Sequence, residues 1–425
     1  MKRRAYRRTP INQFEPKVIR DKATGNRLIL AIDVAKQDMV AALATETAEV
    51  LTTLAWKQLE ESGELLRRLD ELQQLGFTVE AVMESTGTYG DVLRYQLHQA
   101  GIVVYQVSGK RVHDAKVVYD GVASLHDSKC AAIIAKLHID GRSSLWQDRP
   151  ESERELKAAV ATMDVYHVQY LRLIHQLESW LARYWPEVTQ LVALTSATLL
   201  AVVARIGGPR DVAADPSATR ELMTGMSHRL MNAEKIEQVL KCAQVSMGLP
   251  LLAEERVALM AIAAEAHRSL RAYKAAKHRM LELAAGSASE AMAPAVGDAT
   301  AAVLLTEVGD PRGYPSARAY VKAFGLNLKE KSSGKYQGRL RITKNGSGRA
   351  RQYLWLAIFR WRKKDPIVQA WYADKVKRDG GSKARAVVAL MRKLAKALFH
   401  VARGAPMDTR KLFDVGRLRL VTASE

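Results

Sequence analysis

The stretch LILAIDVAKQDMVAAL, residues 28–43, constrains the fold of this chain more than any other. Leu28 to Ile32 is an apolar run that ends at Asp33, and Met39 to Leu43 is a second one, with only a few residues between them. Two such runs so closely joined predict antiparallel strands with a tight connection. That pairing would put the Asp33 carboxylate at the central rim of a sheet. A strand-end aspartate bonding its own backbone would read the same way on this stretch alone.

The following residues extend the pattern. Strands are expected at 27–33, 38–45 and 48–55, then a helix over 59–75, where Leu59, Leu65, Leu66, Leu69 and Leu72 recur at helical spacing up to Gly76. Phe77 to Met83 predicts the next strand and delivers Glu84 at its end, ahead of a Ser85-Thr86-Gly87 turn. A helix near 90–99 and a strand over 102–107 follow. Three strands, then helix, strand, helix, strand, is the order of an RNase H-like domain. In that architecture the first and fourth strands are neighbours, so Asp33 and Glu84 would meet at one rim. His126-Asp127 opens a further helix, with Ala131, Ile134, Ala135 and His138 on one face. Asp127 is therefore a candidate third carboxylate, or simply an N-cap. Three converging carboxylates repel one another, and a hard divalent cation, Mg²⁺ or Mn²⁺, would relieve the repulsion. The chemistry such a centre suits is phosphodiester displacement.

Charge agrees with that substrate class. The 425 residues carry a formal charge of +20, and 48% of them are hydrophobic, which excludes global disorder and favours a polyanionic partner. A membrane span is not expected, because the longest apolar stretch, 191–206, is interrupted by Thr195, Ser196 and Thr198 and carries Arg205. Residues 1–26 begin MKRRAYRRTP with no apolar segment behind, so they read as a flexible basic arm and not as a secretory signal. Cys130 and Cys242 form neither a metal-ligand spacing nor a disulfide framework, which suits a reducing cytoplasm.

Beyond residue 149 the pattern changes. Leu156, Val160, Met163, His167, Tyr170, Ile174, Leu177, Leu181 and Tyr184 recur at steps of three and four, a heptad pattern that runs up to Pro186. A second helical stretch, 250–285, is its expected partner, within one chain or between two. Residues 198–211 and 300–313 echo each other at an offset of 102, each followed by Pro-Ser-Ala, and 294–300 resembles a degenerate helix-hairpin-helix turn, with an ordinary helix start the equal alternative. From Lys329 to Lys364 there are twelve Lys or Arg against the single acid Glu330. The glycines at 334, 338, 346 and 348 make the centre of this segment a loop, and aromatic residues interleave with arginines in the helix after it. Lys335, Arg339, Arg341, Lys344, Arg349 and Arg351 are the nucleic-acid-binding candidates. A solvated basic face over an aromatic core is the alternative.

IDVAK (32–36), MESTG (83–87), HDSKCAAIIAKL (126–137) and the FGL, SSG and ITKNG segments between 324 and 354 together resemble the insertion-sequence 110 family of transposases, relatives of the Piv-type DNA invertases. The resemblance implies a RuvC-like (RNase H fold) α/β domain over 27–148, a coiled-coil helical region over 149–290 and a mostly helical transposase domain over 291–425. It implies a recombinase of donor and target DNA, guided by a structured bridge RNA and working in the bacterial cytoplasm at the nucleoid as a dimer or tetramer. Asp33, Glu84 and Asp127 match the family's first three metal carboxylates. The fourth, three residues on, is Cys130, and Asp120 is a possible substitute. Ser333 matches the catalytic serine, with Ser332 the alternative; a phosphoserine link would conserve the cleaved bond's energy for religation. A junction resolvase or nuclease with no covalent intermediate, and an inactive nucleic-acid-binding scaffold, are the competing readings.

Overall fold

A mixed seven-stranded sheet organises the first of the two units into which the chain divides, Met1–Arg149 and Pro150–Glu425. The structure is a computed structural model, and it describes residues 7–85, 87–120, 126–226, 232–330, 332, 333, 338 and 340–418. The strands are Arg8–Pro10 (β1), Arg27–Asp33 (β2), Asp38–Thr45 (β3), Val50–Lys57 (β4), Thr78–Glu84 (β5), Val103–Val107 (β6) and Ser144–Leu145 (β7). Their order across the sheet is β1-β4-β3-β2-β5-β6-β7. β2 and β3 pair antiparallel from Leu28 opposite Thr45 to Asp33 opposite Val40, while β2 and β5 run parallel. The first and fourth expected strands are thus neighbours, and Asp33 and Glu84 end them at the same rim.

β2 is apolar without alternation because both of its faces are covered. Leu28, Leu30 and Ile32 join one core with Leu65, Leu69 and Leu72 of helix α2 (Ser62–Gln74) and Leu93 and Leu97 of α3 (Asp91–Gln99). Ile29 and Ala31 face the other way, into a core with Val112 of α4 (Gly109–Asp120) and Ile133, Ile134 and Ala135 of α5 (Asp127–Ile139). Two boundaries differ from the sequence reading. Ala48 takes a left-handed turn conformation, φ 65°, so the third expected strand begins at Val50; Leu59, φ 73° and 71% exposed, lies ahead of its helix.

The described part of the N-terminal segment is folded, contrary to the expected flexible arm. β1 pairs with β4, helix α1 (Pro16–Arg20) follows, and Ile11, Phe14 and Ile19 are buried in the core they share with α2. Burying each such side chain stabilises by roughly 1.5–3 kcal/mol, enough to fix the segment despite its charge.

In the second unit the 34-residue helix α6 (Glu151–Tyr184) pairs with the helix Ala253–Ala284 of the same chain. The heptad positions Leu156, Val160, Met163, Tyr170, Ile174, Leu177 and Leu181 are buried, and the polar seam residue His167 stacks on Tyr273 at 4.8 Å. The internal echo is a shared helix-and-turn unit. Helices Ala197–Arg205 and Asp298–Val308 are each followed by a positive-φ glycine, Gly207 or Gly309, and both pack on Ala253–Ala284. Gly297, φ 85°, links helices Ala288–Val296 and Asp298–Val308, a turn that fits either an ordinary helix start or a helix-hairpin-helix, and Arg360 donates to the Val296 carbonyl and the Thr300 hydroxyl there, each at 2.7 Å. Among the described residues no helix is long and apolar enough to cross a membrane. The whole is a mixed α/β sheet followed by a mostly helical remainder.

Candidate carboxylate centre and serine loop

Three elements of the first unit carry the acids. β2 ends on Asp33, β5 ends on Glu84, and Asp127 is the first residue of α5, with His126 as its N-cap. Asp33 and Asp127 line one open cleft of about 570 Å³ together with the β2–β3 connection, residues 34–37, and Asp38 at the start of β3. The Asp33 carboxyl is pushed up to about 6, first by burial and then by the negative charges of Glu84 and Asp127. Lys116 and a hydrogen bond from Cys130 act in the opposite direction. Asp33 therefore senses both other carboxylates.

The three acids do not form a closed ligand set. Among the described residues no group of three His, Cys, Asp or Glu side chains is gathered tightly enough to hold a metal ion as it stands. Asp127 is instead engaged by Arg8, whose guanidinium Nη2 lies 2.8 Å from Oδ2, with Nε 3.4 Å from the Ser128 hydroxyl. Cys130 is buried, and burial together with Asp33 raises its thiol, which keeps it protonated and a poor ligand for a hard ion. The donor set fits Mg²⁺ or Mn²⁺ in chemistry: hard carboxylate oxygens whose mutual repulsion a divalent ion removes. The Asp120 side chain, the sequence's alternative acid, lies outside the described residues.

A Mn²⁺ titration checks this electrostatic picture. Metal competes with the proton on Asp33, so affinity should fall as pH drops through about 6, whereas an unperturbed aspartate would shed metal only near 4. Arg8→Ala should raise the affinity by removing the cation that competes for Asp127. Affinity that holds until pH 4, or that drops in Arg8→Ala, would contradict it.

The basic loop is held at its base by a backbone knot. Strands Leu328–Lys329 and Arg341–Ile342 pair, the Lys344 N–H donates to the Gly325 carbonyl at 2.9 Å, and the Thr343 hydroxyl donates to Asn327 Oδ1 at 2.6 Å. Gly325, φ 68°, passes so close that a Cβ would lie 2.7 Å from the Lys344 carbonyl carbon, which explains a glycine there. Ser332 and Ser333 are both exposed in this loop. The Ser332 hydroxyl donates to Glu330 Oε1 at 2.5 Å and accepts from the Gly338 N–H at 3.1 Å.

The basic candidates part company. Arg341 and Lys344 are exposed, and Lys335 and Arg339 lie outside the described residues. Arg349 turns inward, bonded to Asp164 and to the Val160 carbonyl and 3.5 Å from Glu307, while Tyr353 donates to Asp164 at 2.7 Å. Arg351 binds the Phe324 and Gly346 carbonyls at 3.0 and 2.9 Å and so locks the knot. The contributions of Arg8 and Lys116 had no sequence signal beyond their residue types, whereas Cys130 was marked by its place in the motif that Asp127 opens.

Sequence comparison identifies the family. A transposase model of the DEDD, IS110 type matches residues 30–186, and a model described as transposase IS116/IS110/IS902 family matches residues 291–373, together more than half of the chain. An insertion element IS110 uncharacterized 43.6 kDa protein of Streptomyces coelicolor is 31% identical over 110 residues, covering 26% of this chain and 27% of that protein's length. The chain belongs to the IS110 family of transposases.

Proposed function

We propose that this protein is a DNA recombinase that cleaves and exchanges strands through a phosphoserine intermediate at Ser333, assisted by a metal–carboxylate site and guided by a structured RNA. What supports the reading is that Asp33 and Glu84 end neighbouring strands and that the charges of Glu84 and Asp127 both bear on Asp33, inside the region matched by the transposase model. Asp33, Glu84 and Asp127 would hold a divalent ion, which supplies charge neutralisation at the reacting phosphate. The Ser333 hydroxyl attacks phosphorus: an Oγ–P bond forms, the serine proton leaves to a base, and the departing strand end takes up a proton as a hydroxyl. Attack by that hydroxyl, or by one from another strand, reverses the step and frees Ser333, so no nucleotide cofactor is consumed.

With Ser332 tied to Glu330, Ser333 is the favoured nucleophile. Phosphate contacts fall to Arg341, Lys344, Lys335 and Arg339, while Arg349 and Arg351 hold the scaffold beneath them. The division into a RuvC-like domain (27–148), to whose sheet and core the preceding residues add, a coiled-coil region (149–290) and a transposase domain (291–425) belongs to the same proposal, as do a homo-oligomeric state and a place at the nucleoid. Reconstitution is the test. The protein, its copurifying RNA and Mg²⁺ should convert a supercoiled plasmid bearing the element's ends into joined recombinants. Nicks with free 3′-hydroxyl and 5′-phosphate ends, and no joining, would establish a nuclease instead.

A further inference from the structure

A second cluster of charged groups sits at the opposite end of the elements that carry the acids. Arg27 grips Glu80 with both arms of its guanidinium, Nε to Oε1 at 3.1 Å and Nη2 to Oε2 at 2.9 Å. His138 reaches the same carboxylate, Nε2 to Oε2 at 3.0 Å, and its Nδ1 lies 2.7 Å from the Ser143 hydroxyl. Tyr105 packs against the imidazole at 4.5 Å. His138 is 7% exposed and the Glu80 side chain 15%, so the ring and the carboxylate are largely withdrawn from water. Burial alone would raise the Glu80 carboxyl, yet Arg27 and His138 bring it below the ordinary glutamate range.

The placement of these residues is the informative part. Arg27 begins β2, which Asp33 ends; Glu80 precedes Glu84 on β5; His138 lies in the last turn of α5, which Asp127 begins. Eleven residues of helix span roughly 16 Å. The four to six strand residues between clasp and rim span roughly 13–20 Å. The helix therefore lies antiparallel to both strands, with the Arg27–Glu80–His138 clasp at one end and the three acids at the other. Glu80 has no role at the reacting phosphate from that distance. A buried carboxylate that must meet a cation and an imidazole at fixed geometry does, however, fix how far α5 can slide along the sheet.

We propose that Glu80, clasped by Arg27 and His138, is a positioning residue that sets the height of α5 on β2 and β5 and thereby where Asp127 stands relative to Asp33 and Glu84. The inference rests on the carboxylate reading of Proposed function. In the metal-binding state a shift of α5 by less than one turn would move Asp127 out of reach of a shared ion.

The experiment is Mn²⁺ binding to the full chain, followed by electron paramagnetic resonance, with amide hydrogen exchange of α5 alongside. His138→Ala should weaken Mn²⁺ by about tenfold, the low end of what supporting groups around metal ligands contribute. His138→Gln, whose amide can still donate to Glu80, should recover much of the loss. Leu72→Ala, in the core on the other face of the sheet, should lower the melting temperature yet keep wild-type Mn²⁺ affinity. Arg27→Ala removes a half-exposed side chain and guards against a misfolded His138 variant. It should speed exchange in the first turn of α5 and weaken Mn²⁺. Equal weakening in Leu72→Ala and His138→Ala, or wild-type affinity and exchange in Arg27→Ala, would overturn the proposal. Asp33→Asn separates the two levels. If it loses Mn²⁺ while the clasp variants keep it, the clasp alone is refuted; if it keeps Mn²⁺, the carboxylate reading falls and the clasp's role with it.

Discussion

Asp33→Asn should abolish strand cleavage while leaving the fold intact. Asp33 is the acid most embedded in the centre, held by β2 between β3 and β5, and its carboxyl is raised to about 6 by burial and by Glu84 and Asp127. A metal at such a site contributes several kcal/mol to the transition state, so losing it costs on the order of 10³-fold in rate. Stability should move the other way. A carboxyl raised in the folded state binds its proton more tightly there than in the unfolded chain, so the metal-free protein loses stability as pH rises from about 4 to about 6 and gains nothing from the charge above that window. Asparagine removes this penalty. The metal-free variant at neutral pH should therefore melt no lower than the wild type, while Mn²⁺ binding and cleavage are lost. A variant that melts markedly lower would assign Asp33 to the scaffold, and one that still cleaves would remove it from the centre.

Ser333→Ala should be as severe for cleavage and should separate chemistry from binding. Ser333 stands in an exposed loop rooted in the Gly325–Lys344 knot, and its replacement takes away no buried contact of that knot. Affinity for nucleic acid should stay at the wild-type level, because the proposal assigns the phosphate contacts to Arg341, Lys344 and their neighbours. Cleavage should fall by about 10⁴-fold or more, as when a covalent catalyst loses its nucleophile. Ser332→Ala should do much less, since that hydroxyl is engaged with Glu330 and Gly338. The converse pattern, an inactive Ser332→Ala and an active Ser333→Ala, would move the nucleophile by one residue.

Much of the N-terminal sheet was legible because its signals are local. The apolar runs that flank Asp33, the strand ending at Glu84 and the helix start at Asp127 each declare themselves within a few residues. The heptads of α6 were legible for the same reason, and they also foretold its pairing with the helix Ala253–Ala284. What escaped depends on tertiary pairing. β1 is three residues long and contains Pro10, too short to show a period, yet it edges the sheet and carries Arg8 to Asp127. Helix α4, which brings Lys116 near Asp33, follows β6 with no strong apolar face to announce it. Charge counting treated Arg349 and Arg351 as outward-facing. Composition gives the number of guanidinium groups in a segment but not their direction, and these two point into carboxylates and backbone carbonyls. The clasp was invisible for a similar reason: Arg27, Glu80 and His138 are far apart in sequence, and only the parallel register of β2 and β5 with α5 laid across them brings them together.

The central claim is that a serine hydroxyl and a carboxylate-held metal act on one phosphodiester. Its most direct test is to trap the reaction on a nicked duplex bearing the element's end, with Mg²⁺, and to digest and sequence any covalent protein–DNA product. The account predicts an adduct on the peptide containing Ser333, absent in Ser333→Ala, in Asp33→Asn and in the presence of a chelator. Cleaved DNA with free ends and no adduct, or an adduct that persists in Ser333→Ala, would contradict it.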